Sequence, residues 1–268
     1  MFDSRSWVSN LLLRSPASLR SIRNVPVLGD VVHRISRRVV SSDETVWAKV
    51  QAGPCEGMWM RLNPRTGQGY LRGEAEPAVQ KVLAERLQPS MVFYDLGANL
   101  GFFSMLAARI VGPSGIVFSF EPDPEIAGRL QKNIERNELR NVRVIPKGVW
   151  SESGKQAFVS AGASSPDRGT GRFVADSERA GSASLECVAL DDFVRAAPAP
   201  QAIKCDVEGA ELDVLRGAQQ LLRAYRPWIL CEMHSQPNDS GCREILERFG
   251  YNFTDVDEQH VLATPQGA

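Results

Sequence analysis

The string Asp95-Leu96-Gly97-Ala98-Asn99-Leu100-Gly101 follows an apolar run, Met91 to Leu96, and leads into a helical pattern from Leu100 to Val111. Gly97 lets the backbone turn sharply and lets a ligand come close. Gly101 permits tight helix–strand packing, and the N–H groups of a helix start suit an anion or a carboxylate. A dinucleotide site would want G-x-G-x-x-G, so that a pyrophosphate can sit against the turn. The G-x-x-x-G spacing here favours a cofactor without one.

Three further strings close apolar runs. Ile116 to Phe120 ends in Glu121-Pro122-Asp123. A carboxylate at the end of the second strand lies beside the first glycine turn, where it can accept both ribose hydroxyls of an adenosine. Pro122 stops the strand and holds Glu121 at its carboxyl edge. Lys204 to Glu211 reads K-C-D-V-E-G-A-E, and Cys231-Glu232-Met233-His234 closes the next strand. Ligands of open parallel sheets bind outside the carboxyl ends of the strands. Asp95, Glu121, Asp206, Glu208, Glu232 and His234 are therefore expected on one rim. Glu211 reads as a helix-start charge.

The elements that must position these residues alternate. Strands are expected at Met91–Leu96, Ile116–Phe120, Val142–Ile145, Ala202–Cys205 and Trp228–Met233. Helices are expected at Glu76–Leu87, Leu100–Val111, Glu125–Asn137, Glu211–Tyr225 and Cys242–Phe249. Tyr251–Val256 and His260–Ala263 pair through an Asp257-Glu258 turn. This rhythm argues for a doubly wound, mostly parallel sheet with crossover helices. Val46 to Leu62 reads as short strands with turns. Gly154 to Ser184, rich in Ser, Gly, Ala and Asp, reads as strand pieces joined by a mobile loop. The expected organisation is an N-terminal segment over 1–45, a β/α lead-in over 46–90 and the main domain over 91–268.

The chain has 268 residues, 43% hydrophobic and 24% charged, with a formal net charge of −1. That balance offers no field for nucleic acid. Five cysteines, odd in number and without C-x-x-C spacing, argue against a disulfide framework or a structural zinc and fit a reducing cytoplasm. No apolar run reaches the roughly 18 to 20 residues of a membrane span. The first forty residues carry seven arginines, among them Arg34, Arg37 and Arg38, interleaved with Trp7, Leu11, Leu12 and Val31. They read either as a helical appendage packed on the main domain or a second subunit, or as a basic amphipathic segment for an anionic membrane surface or acidic partner.

Several of these strings together resemble the FkbM family of S-adenosylmethionine (SAM)-dependent methyltransferases. They are Gly73-Glu74, D-x-G-A-N-x-G at Asp95 to Gly101, Phe120-Glu121-Pro122, Asn133 with Asn137, and D-V-E-G-A-E at Asp206 to Glu211. The resemblance runs from about Gly69 to the C-terminus. It implies a class I methyltransferase fold, a seven-stranded sheet whose last strand is antiparallel. It implies O-methylation of a hydroxyl on a sugar, glycolipid or natural product, without naming which. By analogy with that fold, Asp95, Gly97, Ala98, Asn99 and Gly101 would serve the methionine end of SAM, Glu121 and Pro122 the ribose, and Gly148, Val149 and Trp150 the adenine. Asp206 would lie nearest the sulfonium and acceptor.

A neutral alcohol is a poor nucleophile, so a base or a metal should help remove its proton. His234 is the first choice for base, since an imidazole titrates near neutrality, and Glu208 the second. Asp206, Glu208, Glu232 and His234 are a weaker candidate for holding magnesium or manganese. Two other function classes stay open: a nicotinamide-dependent oxidoreductase, which the missing G-x-G-x-x-G counts against, and a non-catalytic binding module that keeps the fold.

Overall fold

The computed structural model describes residues 45–63, 66–159, 171–173 and 182–267. The chain divides into two compact units, Met1–Glu74 with Gly162–Arg168, and Ala75–Ala161 with Gly169–Ala268. The expected 46–90 lead-in is thus shared between them. The basic segment over 1–44 lies outside the described residues, as do the stretches that join the strand pieces between Gly154 and Ser184.

In the first unit, β1 (Val46–Lys49) pairs antiparallel with β2 (Trp59–Leu62). A short helix, α1 (Gln68–Arg72), follows. Alternating burial along both strands gives each one buried and one more open face.

The second unit opens with α2 (Pro77–Arg86), started by a proline in its first turn. The chain then runs through β3 (Val92–Leu96), α3 (Phe102–Val111), β4 (Ile116–Phe120), α4 (Pro124–Arg136) and β5 (Val142–Ile145). After an inserted region come β10 (Ala202–Cys205), α6 (Glu211–Arg216), α7 (Gln219–Tyr225), β11 (Trp228–Glu232), α8 (Gln236–Arg248), β12 (Tyr251–Asp255) and β13 (His260–Pro265). The sheet order is β12-β13-β11-β10-β3-β4-β5. The pairs among β11, β10, β3, β4 and β5 are parallel; β13 is antiparallel to both neighbours. Chain direction across the sheet reverses between β3 and β10, which is the switch point. The near-continuous burial of β3, β4 and β10 is what a sheet covered on both faces requires. Tyr94, Phe118, Phe120 and Phe193 meet edge-on or tilted in the core, with ring centroids 4.9–5.7 Å apart.

The inserted region builds a second sheet from β6 (Gly148–Val149), β7 (Gly154–Val159), β8 (Arg172–Phe173) and β9 (Ala183–Val188), ordered β6-β9-β7-β8. The turn α5 (Leu190–Phe193) leads back to the main sheet.

Two expected helices have different bounds. The single helix over Glu211–Tyr225 is broken at Gly217-Ala218, because Asp191 accepts the N–H groups of Gln220 and Leu221 and so caps a new helix there. Gly217 itself is pressed against the chain at Trp150, where a Cβ would come 2.3 Å from a carbonyl oxygen. The helix expected from Cys242 begins at Gln236, with Pro237 in its first turn, where a proline costs no hydrogen bond.

Candidate active site

The four loops that follow β3, β4, β10 and β11 meet at the carboxyl ends of the strands, on both sides of the switch point. In the glycine turn, Gly97, Asn99 and Gly101 all have positive φ. The N–H groups of Gly97 and Ala98 both donate to the carbonyl of Phe120, that of Asn99 donates to Glu121 Oε2 at 3.0 Å, and that of Gly101 donates to Ala98. These four donors are therefore spent within the fold. A Cβ on Gly97 would lie 1.7 Å from the backbone oxygen of Asp206, so this glycine lets two loops touch. One on Gly101 would lie 2.2 Å from Leu130 of α4, so its close packing is against a helix, not a strand.

Asp95 is fully buried. It sits in one register row with Lys204 of β10 and Ser119 of β4. Ser119 donates to Ser104 of α3, which donates to Asp95 Oδ2 at 2.5 Å. Asp95 Oδ1 and Asn99 Oδ1 are buried without a hydrogen-bond partner. Burial raises the pKa of Asp95 against the pull of Lys204 and Ser104. Glu121, also buried, accepts from Asn99 and Asp123, one bond on each oxygen. Burial lifts its pKa to about 7, against those two bonds. Pro122 links Glu121 to Asp123, which caps α4.

Gly148, Val149 and Trp150 belong to the second sheet or pack on it. The Cα of Gly148 faces the Phe173 ring, Val149 is in the main core, and the Trp150 ring lies tilted against Phe173, centroids 5.7 Å apart.

Lys204 is a buried lysine whose ammonium lies 2.9 Å from Asp206 Oδ2 and 4.9 Å from the centre of the Phe103 ring. Burial would lower its pKa, but Asp206, Asp95 and Glu76 outweigh that and hold it raised. Burial would raise Asp206, and Lys204 reverses the direction. The loop then turns tightly through Glu208 and Gly209, both at positive φ.

Glu211 is the hub of this loop. It is fully buried; its Oε1 accepts from the N–H groups of Val207 and Gly209 and lies 2.9 Å from His234 Nδ1, while Oε2 accepts from the Asn238 amide. Asn238 in turn accepts from Leu212 N–H. The reading of Glu211 as a mere helix-start charge is corrected: its carboxylate ties α6, α8 and the β11 loop together.

His234 presents Nε2 to three carboxylates: Glu208 at 3.4 Å, and Asp206 and Glu232 at 3.8 Å each. Its pKa is raised to about 9, chiefly by the bond to Glu211, against burial and with help from the charges of Asp206 and Glu232. Burial raises Glu208. Asp206, Glu208, Glu232 and His234 thus converge as expected. Asp206, Glu232 and His234 are near enough to share an ion. Lys204 already holds Asp206, so an added cation would meet a like charge there.

The sheet order, with its antiparallel β13, is that of the class I, Rossmann-like methyltransferase fold. The family model for the methyltransferase FkbM domain matches residues 95–253. Hexuronic acid methyltransferase AglP of Haloferax volcanii is 32% identical over 223 residues, 82% of this chain and 80% of its own. A protein-L-isoaspartate O-methyltransferase of Methanothrix thermoacetophila is 36% identical over 84 residues, 30% of this chain and 40% of its own. Among solved structures, the methyltransferase FkbM of Methylobacillus flagellatus KT is similar over 75% of this chain and 54% of its own, at 18% identity and TM-score 0.47. The chain belongs to the FkbM methyltransferase family and is a SAM-dependent methyltransferase.

Among the described residues no helix is long and apolar enough to cross a membrane. All five cysteines are buried free thiols.

Proposed function

We propose that this enzyme methylates a hydroxyl of a sugar, free or carried on a lipid or natural product, and that His234 takes the hydroxyl proton. The arrangement of Glu211, His234 and the rim carboxylates carries this reading. A buried carboxylate on Nδ1 fixes the tautomer in which neutral His234 has its lone pair on Nε2, the nitrogen turned to the rim. Asp206, Glu208 and Glu232 are acceptors suited to the several hydroxyls of a sugar, and their charge disfavours an anionic group at the same place.

The donor set at the glycine turn fits SAM. Asp95 Oδ1 and Asn99 Oδ1 are buried acceptors lacking a donor, which an ammonium would supply. Each Glu121 oxygen keeps lone pairs for a ribose hydroxyl after its one backbone bond. SAM supplies an electrophilic methyl group on a positively charged sulfur. The residues supply alignment and a place for the proton: the acceptor O–H bond breaks and its proton goes to Nε2, while the oxygen–methyl bond forms as the methyl–sulfur bond breaks, its electron pair staying on the sulfur as a neutral thioether. At pH 7 the surrounding carboxylates favour the imidazolium of His234. That proton must leave first, and positive charge brought to the rim by the bound cofactor favours its loss. No step needs a metal at Asp206.

The relative named for hexuronic acid puts glycans bearing that sugar first among acceptors to test. Peripheral membrane contact through residues 1–45, and assembly with a second copy, belong to the same proposal for lipid-carried acceptors. The test is transfer of labelled methyl from SAM to a panel of neutral and uronic-acid glycans. Transfer to at least one hydroxyl is expected; a panel on which only amines or carboxylates are labelled overturns the reading.

A further inference from the structure

Glu232 ends β11 with its two oxygens turned to different histidines. Oε1 lies 3.8 Å from His234 Nε2, and Oε2 lies 3.6 Å from Nε2 of His260. His260 opens β13 and is the Cα partner of Glu232 across the ladder. Glu76, at the start of α2, brings its own Oε2 to 3.5 Å from the same Nε2. His260 is 5% exposed. Its Nε2 and the Oε2 of Glu76 are shielded from solvent, and neither makes a hydrogen bond. On the far side of the ring, Nδ1 is bonded to Asp257 at 2.8 and 3.0 Å. Asp257 also accepts the N–H groups of Gln259 and His260, which fixes it.

We propose that Glu76, Glu232 and His260 form a site for one divalent cation of the manganese or zinc type, positioned by Asp257. Bonds of about 2.0–2.2 Å from one ion set neighbouring donor atoms roughly 3 to 3.6 Å apart. The separations of 3.5 and 3.6 Å suit a shared ion better than a direct hydrogen bond. One atom from each residue lies within 4.8 Å of the others. An ion there satisfies both orphaned buried atoms. Asp257 holds the Nδ1 proton and so turns the lone pair of Nε2 inward, the usual arrangement behind a metal-binding histidine. One imidazole with two carboxylates selects a borderline cation over calcium, which takes oxygen alone. Among the described residues, the ion pairs of Glu76 and Glu232 within 4.0 Å are to His260 and His234 only; the nearby Lys204, whose charge Glu76 feels, makes its own ion pair with Asp206. The site shares Glu232 with the acceptor rim, through the opposite oxygen, and it would lock the start of α2 to the ends of β11 and β13. It would also hold Glu232 with Oε1 toward His234. The rival occupant is a proton, which makes His260 a charged strut among three carboxylates.

The test titrates the chelator-stripped full chain with manganese chloride, by calorimetry and by electron spin echo on the complex. One saturable site is expected, with one imidazole nitrogen coupled to the ion. His260→Gln should abolish the nitrogen coupling, and His234→Gln should keep it. Glu76→Gln should weaken binding at least about tenfold, and Asp257→Asn by about 10- to 100-fold, the usual effect of losing a carboxylate behind a ligand. If His260→Gln does not fold, the Glu76→Gln titration carries the same comparison. Absence of saturable binding overturns the proposal in favour of the protonated strut. Binding lost in His234→Gln or Asp206→Asn but kept in Glu76→Gln overturns it in favour of the acceptor rim.

Discussion

Acidification through pH 7 is expected to weaken SAM binding, with Glu121 as the cause. Its carboxylate is buried, and its pKa is lifted from 4.5 to about 7. Only the ionised form offers both oxygens as acceptors to the ribose hydroxyls. At pH 6, one unit below the pKa, roughly one molecule in eleven carries the charge, so affinity should be about tenfold lower than its plateau above pH 8. The stability of the unligated protein moves the other way. A carboxyl group whose folded pKa is raised stabilises the fold below about 4.5, and this contribution is lost as pH rises through about 7. The shift of about 2.5 units amounts to about 3 kcal/mol. Bound SAM recovers part of it, so the thermal shift on saturation should be larger at pH 8 than at pH 6. Glu121→Gln should flatten both pH dependences and weaken binding by about 2–4 kcal/mol, or about 30- to 1,000-fold, the scale of one or two charge-assisted hydrogen bonds. Calorimetry from pH 5.5 to 8.5 reads all of this. A wild-type affinity that does not change over that range, or a Glu121→Gln protein within about threefold of wild type, would refute the reasoning.

Gly97→Ala is expected to damage the fold before it reports on the cofactor, since its Cβ would overlap the Asp206 carbonyl and φ is +77°; a loss of about 2–5 kcal/mol should appear in denaturant melts, and an unchanged midpoint would show the two loops are not in contact. His234→Ala should cut turnover by about 10²- to 10⁴-fold with SAM affinity nearly unchanged. Glu211→Gln should slow turnover too while the fold survives; steady-state kinetics that show either variant near wild type would remove His234 as the base. Deleting residues 1–44 should leave SAM affinity intact but impair methylation of a lipid-carried acceptor, and vesicle co-sedimentation equal to the full chain would rule out membrane contact by that segment.

The strand–helix rhythm was legible because strands buried on both faces read as unbroken apolar runs; the seven strands and the antiparallel last one came from the family resemblance, not from the rhythm. The glycine turn and the carboxylates at strand ends were legible for the same reason: position relative to a strand is a local property. What was not legible depends on distant partners. Glu211 looked like any acidic residue of a first helical turn until Asn238 and His234 were brought to it from another element. Asn238 was missed because Pro237 and Gly241 hid the start of α8. The second sheet needed pairings across an insertion. Lys204 did carry a signal, a lysine inside the short apolar strand Ala202–Cys205 that must find a partner when buried, and Asp206 two residues on shares its face. His260 and Glu76 are far apart in sequence, and only the ladder between β11 and β13 brings the histidine beside Glu232.

The most direct measurement is the position of the transferred methyl on a uronic-acid glycan, read by NMR after reaction with carbon-13-labelled SAM. A hexuronic acid offers the enzyme both hydroxyls, which need a base, and a carboxylate, which does not. The expected product is a methyl ether on a ring hydroxyl, formed by the wild type and nearly absent with His234→Ala. A methyl ester on the carboxylate, formed equally well by both proteins, would contradict the account.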